Sequence, residues 1–249
     1  MSTNKLKLPT EVIELPSKGL LYSKDNPLSS GKIEMKYMTA REEDILTNQS
    51  YIQNGTMIDK LLQSLIITKF NYDDLLIGDK NAILIAARIL GYGKDYEFTY
   101  KGENHTVDLT QLENKPLDES LFTPGLNEFS YTLPHTDTDV TFRLLTHGDE
   151  KKIQSELKGL KKINQNNPEG STRLKYILTS VGGNRELKDI REFVDNYLLA
   201  KDARELRNYI VKIQPDVDLT FFPDSGDGPL PLPIGPSFLY PDIWGDNYL

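Results

Sequence analysis

Cysteine is absent from all 249 residues. That excludes disulfides, thiol nucleophiles and cysteine-ligated zinc. Histidine is scarce: His105, His135 and His147 are the only three, and no pair stands at HExxH or HxxxH spacing. Metal catalysis is not expected, and no cofactor is assigned. Long apolar runs are missing too. The longest, at 82–90, is interrupted by Arg88 and falls well short of the roughly 20 residues that cross a bilayer. The N-terminal lysines precede no apolar stretch of signal-peptide type, so the expectation is a cytoplasmic protein without membrane contact. Basic charge is outweighed, with 29 Lys and Arg against 37 Asp and Glu for a net charge of −8. A surface that tracks nucleic-acid phosphates needs the opposite balance, so no nucleic-acid partner is expected. The one basic cluster, Lys151, Lys152, Lys158, Lys161 and Lys162, is balanced locally by Asp149, Glu150 and Glu156. It reads as a solvated helix face or as a docking patch.

What the sequence does have is a pattern stated twice. Ile33, Met35 and Tyr37 alternate like a half-buried strand and run into Thr39-Ala-Arg-Glu42-Glu43-Asp44; Val140, Phe142 and Leu144 do the same before Thr146-His-Gly-Asp149-Glu150. Further on, Leu75-Leu76-Ile-Gly-Asp79 opens a helical run ending in the strand-like Tyr96, Phe98 and Tyr100. Leu198-Leu199-Ala-Lys-Asp202 opens another, ending in Val217, Leu219 and Phe221. The offset between copies is 107 residues at the threonines and 123 at the second helices. The extra 16 residues are assigned to the polar stretch 164–172 of the second copy. The expected fold class is α+β: two similar helical modules from an internal duplication, each opening with a short strand and closing with a β-hairpin.

This reading divides the chain into five parts. Residues 1–31, with Pro9, Pro16, Pro27, Gly19 and Gly31, form an extended arm that packs along its own domain or reaches onto a neighbour. Residues 32–112 are the first repeat. In it Thr39 and Glu42 make a capping box that starts a helix at about Ala40. Asn54-Gly55 makes a turn, and Met57, Ile58, Leu61, Leu62, Leu65 and Ile66 form a buried stripe. Asp79 is taken as the N-cap of a largely buried helix ended by Gly91-Tyr92-Gly93, and a hairpin follows at 96–109. Residues 113–138 are a linker with little regular structure. Residues 139–228 are the second repeat, with an amphipathic segment at 174–178, helices at about 187–199 and 202–212, and a hairpin pairing 217–222 with 230–234. Residues 229–249 form a tail rich in proline and aromatics that holds the only tryptophan, Trp244. The tail either covers its own domain or anchors a partner through Phe238, Tyr240, Ile243 and Trp244.

No catalytic constellation emerges. Gly91-Tyr92-Gly93 follows a helix where a dinucleotide fingerprint requires a strand. No phosphate-cradling GxxxxGK[ST] frame is present. Asp224-Ser-Gly-Asp-Gly228 lacks the acidic alternation and closing Glu of a calcium loop. Acidic pairs such as Asp73-Asp74 and Glu42-Glu43 stand at helix starts, where the dipole favours them. The expectation is a protein that is not an enzyme and has no small-molecule substrate.

The pattern Leu15-Pro-Ser-Lys-Gly19, Leu21-Tyr22 and Pro27-Leu-Ser-Ser-Gly31 continues through Ile33 to Asn48. Together with Leu75-Leu-Ile-Gly-Asp-Lys-Asn81, Ala86-Ala-Arg-Ile-Leu-Gly-Tyr-Gly93 and Phe238-Leu-Tyr240-Pro241, it resembles the baseplate hub and hub assembly proteins of T-even-like contractile-tailed phages and their cyanophage relatives. The resemblance covers most of the first repeat and touches the end of the second. It implies a non-enzymatic role in building the central hub of the tail baseplate. In that role the chain is an assembly factor binding hub subunits, or a subunit retained in the hub. Its location is then the host cell cytoplasm during assembly, or the virion tail. Relatives with cysteine pairs in the hairpins imply small zinc knuckles; here those turns hold no cysteine, so no metal carries over. The candidate partner-binding residues are Leu15, Leu21 and Tyr22 of the arm with Phe238, Tyr240, Ile243 and Trp244 of the tail.

Overall fold

A computed structural model describes residues 8–163, 168–223, 228–234 and 236–239. The fold is mixed α+β, built from short antiparallel strand pairs and helices. Among the described residues no helix is long and apolar enough to cross a membrane.

The first half begins with strand β1 (Thr10–Glu14) paired antiparallel to β2 (Lys32–Lys36), with Ile13 opposite Ile33 and Glu11 opposite Met35. Ile33 and Met35 point inward and are buried, as their alternation requires. Helices α1 (Ala40–Leu46), α2 (Gln49–Gln53) and α3 (Met57–Leu65) follow. The Asn54-Gly55 turn forms as expected, with Gly55 at φ 68°. The stripe of α3 buries Leu61, Leu62 and Leu65, and the chain leaves this helix at Ile66 to bridge back onto Met35. Helix α4 (Ile77–Tyr92) is buried nearly all round from Ala82 to Arg88 and closes at Gly93 with φ 85°. The hairpin of β3 (Asp95–Tyr100) and β4 (Glu103–Asp108) completes this half.

The second half opens with the antiparallel pair β5 (Phe129–Leu133) and β6 (Thr138–Phe142). Helices α5 (His147–Ile163) and α6 (Glu169–Ile177) lead to β7 (Leu178–Val181), which pairs with β6 on the side away from β5. Helices α7 (Leu187–Asn196) and α8 (Ala200–Ile213) follow. Next come the two-residue strands β8 (Thr220–Phe221) and β9 (Leu230–Pro231), and then a last turn, α9 (Pro236–Leu239). Helix α8 buries one face through Ala203, Leu206, Ile210 and Ile213, and is more exposed than α4, as its charge predicts.

Of the two alternatives for the N-terminal arm, packing along its own half is the one seen, and three other expectations need correction. The described part of the N-terminal arm is an integral piece of the first half: β1 hydrogen-bonds along β2, and Leu15, Leu21, Tyr22 and Leu28 are buried. Its prolines and glycines punctuate a long β1–β2 connection instead of keeping the segment extended. The linker contains β5, whose Phe129, Tyr131 and Leu133 alternate into the core and had the period of a strand. Asp79 is not an N-cap, and the helix expected from Asp202 begins two residues earlier. The caps are Leu76 and Leu199, in extended conformation, which places each aspartate in the first helical turn. Val217 lies outside the closing hairpin and instead bridges Asn114, while the turn at 224–227 lies outside the described residues. The two halves also share one continuous hydrophobic core.

Candidate functional site

Three clusters of side chains join distant parts of the chain. The first is organised by Asp79. It is 1% exposed, and its carboxylate accepts from the Ser17 backbone N–H (2.9 Å), the Ser17 hydroxyl (2.7 Å) and the Tyr22 phenol (2.6 Å). Tyr22 in turn accepts from the N–H of Leu76, at 3.0 Å. Burial pushes the Asp79 carboxyl above the usual range, against the lowering effect of the Tyr22 and Ser17 hydrogen bonds. Burial beside Asp79 likewise raises the Tyr22 phenol, so it stays protonated as a donor. The turn after β1 is thereby fastened to the start of α4.

The second half repeats the device. Asp202, 0% exposed, accepts from the backbone N–H of His135 (2.9 Å) and the hydroxyl of Thr136 (3.0 Å). Leu133-Pro134-His135 closes β5 much as Leu15-Pro16-Ser17 follows β1. A second pair of matching contacts lies at the constant offset of 107. The Glu42 carboxylate takes the Thr39 N–H and hydroxyl and an ion pair from Lys36; the Asp149 carboxylate takes those of Thr146 and an ion pair from Arg143. Burial raises Glu42, but hydrogen bonds from Lys36, Thr39 and Ser64 outweigh it and hold the carboxyl down to about 2.

The second cluster lies where the halves meet. Leu76 bridges Thr146, with the His147 N–H donating to the Leu75 carbonyl at 2.7 Å and the Ile77 N–H donating to the Leu145 carbonyl at 3.3 Å. This stacks the start of α5 on the approach to α4. His147, 4% exposed, meets the ring of Tyr72 edge-on at 4.7 Å. Lys80 Nζ lies 2.5 Å from Asp59 and 3.3 Å from His147 Nδ1, while His147 Nε2 is 3.6 Å from Asp59. Burial, and then the Lys80 ammonium, lower the histidine below its ordinary value, so the imidazole is neutral near pH 7. Lys151 pairs with Asp73 at the rim, at 2.9 Å. An acid partner for His147 was not visible along the sequence, because Asp59 arrives from α3. Lys80 already occupies that acid, and the group works as a polar seal between halves.

The third cluster is aromatic. Phe221 of β8 packs edge-on against Phe98 (4.9 Å) and Tyr100 (5.8 Å) and touches His105, which joins the two hairpins. Phe238 of α9 is fully buried and meets Tyr96 edge-on at 4.8 Å, and the Tyr96 hydroxyl donates to the Pro233 carbonyl at 2.5 Å. The end of the second half therefore folds over the hairpin of the first.

The predicted partner-binding residues are placed accordingly. Leu15, Leu21, Tyr22 and Phe238 are 1%, 5%, 6% and 0% exposed and serve the chain's own core. In sequence, apolar side chains between prolines resemble an exposed arm, and a core contact with a distant helix leaves no local trace. Tyr240, Ile243 and Trp244 lie outside the described residues. Among the described residues, large apolar side chains do stand exposed at Tyr197, Leu199, Val211 and Phe222. No group of His, Asp and Glu suited to a metal occurs among the described residues. No family model, no curated protein and no solved structure matches the chain.

Proposed function

We propose that this chain is a non-enzymatic tail protein of a contractile-tailed phage that acts in assembly of the baseplate hub, as a factor binding hub subunits in the host cytoplasm. One observation carries this reading. The residues by which the sequence resembles the hub proteins converge physically: Ser17 and Tyr22 of the first motif hydrogen-bond Asp79 of the distant second motif. The matched contacts of the halves also support an internal duplication, in which the Asp79 and Asp202 turns and the Glu42 and Asp149 caps are copies of one design.

The test is quantitative mass spectrometry of purified particles beside the infected-cell lysate, with a tagged copy to capture partners. Hub proteins captured from the lysate, together with absence from particles, are the expected result. A small integer ratio to hub subunits in the particle instead makes the chain a resident subunit. Capture of no tail protein in either fraction overturns the reading.

A further inference from the structure

The joint between the halves is heterologous: the approach to the last helix of one half receives the strand-to-helix edge of the other. Each half contains both surfaces, yet only one of each is used. Leu75 and Leu76, 0% and 4% exposed, are joined through backbone hydrogen bonds to the Leu145–His147 segment. Of their counterparts, Leu198 is half-buried against the chain's own core, whereas Leu199 is 48% exposed and neighbouring Tyr197 62% exposed. Leu199 has φ −63° and ψ 142°, against −63° and 146° for Leu76, so the two edges present the same backbone. At the other end Met38 and Thr39 correspond to Leu145 and Thr146; Thr39 is extended at φ −126° and ψ 172°, and Ala40 is exposed. The internal joint uses two N–H groups and two carbonyls. The equivalent N–H groups of Ala40 and Ala200 and carbonyls of Met38 and Leu198 have no hydrogen-bond partner among the described residues.

We propose that the 197–200 edge is a docking surface for a second copy of this chain, which presents its 38–40 edge as Leu145 and Thr146 do internally. The contact is head-to-tail, so a pair of copies keeps one free edge of each kind, and association builds a closed ring or an open filament. One residue limits its strength. Arg41 stands where the internal joint has Gly148, so close to Asp73 that an added Cβ would approach it to 3.0 Å. The intermolecular joint is therefore wider and weaker than the internal one, and Arg41→Gly closes it.

Sedimentation velocity of the purified full-length chain over a concentration series tests this. The expected result is mass above the monomer that rises with concentration, loses at least about tenfold in affinity with Leu199→Asp and tightens with Arg41→Gly. Aspartate is a favourable residue at a helix N-cap, so Leu199→Asp leaves α8 intact, which circular dichroism checks. Val211→Asp, an exposed change elsewhere on α8, leaves association unaltered. A monomer up to about 1 mM, association indifferent to Leu199→Asp, or no tightening with Arg41→Gly overturns the proposal. The inference rests on the correspondence of the halves and not on a phage role, so its failure leaves the hub experiment undecided and vice versa.

Discussion

At the scale of residues, buried carboxylates decide where chain segments meet. Asp79 satisfies three donors that have no access to water, so removing it strands all three. Asp79→Ala should lower stability by about 3 kcal/mol or more, and Tyr22→Phe by about 1–2 kcal/mol, measured by denaturant unfolding. Equal, negligible losses from both would show that the turn is held by packing alone. Glu42 makes a separate, pH-dependent contribution. Its folded value of about 2 lies below the ordinary 4.5, so this stability is fully present above about pH 4.5 and fades as pH falls toward 2. Comparing unfolding at pH 6 and pH 3 for the native chain and Glu42→Gln should show a smaller acid loss in the variant. The role of these acids was half legible. The capping pair Thr39 and Glu42 is local and was read directly, whereas Asp79 looked like a cap because its true partners lie 57 and 62 residues away.

At the scale of elements, strand period and helical stripe set the units, and close backbone approach sets how they stack. Gly78, in the first turn of α4, faces the Pro215 carbonyl so closely that a Cβ there would overlap the oxygen, at 1.8 Å. Backbone has to move to admit a methyl group. Gly78→Ala should therefore destabilise by about 1–3 kcal/mol, although alanine is the better helix former, and thermal unfolding will show the sign. Gly159, with open space around it, supplies the control: Gly159→Ala in α5 should stabilise by about 1 kcal/mol. The extra residues of the second half also belong at this scale. The sequence placed them together in the polar stretch at 164–172. Under the proposed duplication five fall between Thr146 and Leu178, against Thr39 and Ile66, and eleven between Leu178 and Leu199, where α7 stands opposite a short turn at Tyr72–Asp74 in the first half.

At the scale of the whole molecule, a single core and a crossed-over tail bind the halves into one body. Phe238 is the plug of that crossing. Phe238→Ala removes a fully buried ring and should cost about 3–5 kcal/mol in thermal or denaturant unfolding. An unchanged melting temperature would show that the tail only rests on the first half.

The sequence by itself determined the α+β class, the helix start at Ala40, the buried stripe of Met57–Leu65, the buried helix closed at Gly93 and the hairpin after it, because the Thr39–Glu42 cap, turn glycines and apolar period act between near neighbours. Tertiary structure alone decided that the proline-rich arm supplies β1, whereas β5, with a strand's period and its partner β6 next in the chain, was legible locally. Tertiary structure also decided that Leu15, Leu21, Tyr22 and Phe238 face inward and that His147 finds Asp59 through Lys80. Each of these depends on a partner far away in sequence. Burial and pairing are properties of the folded neighbourhood, and a side chain's local pattern does not record which distant surface covers it.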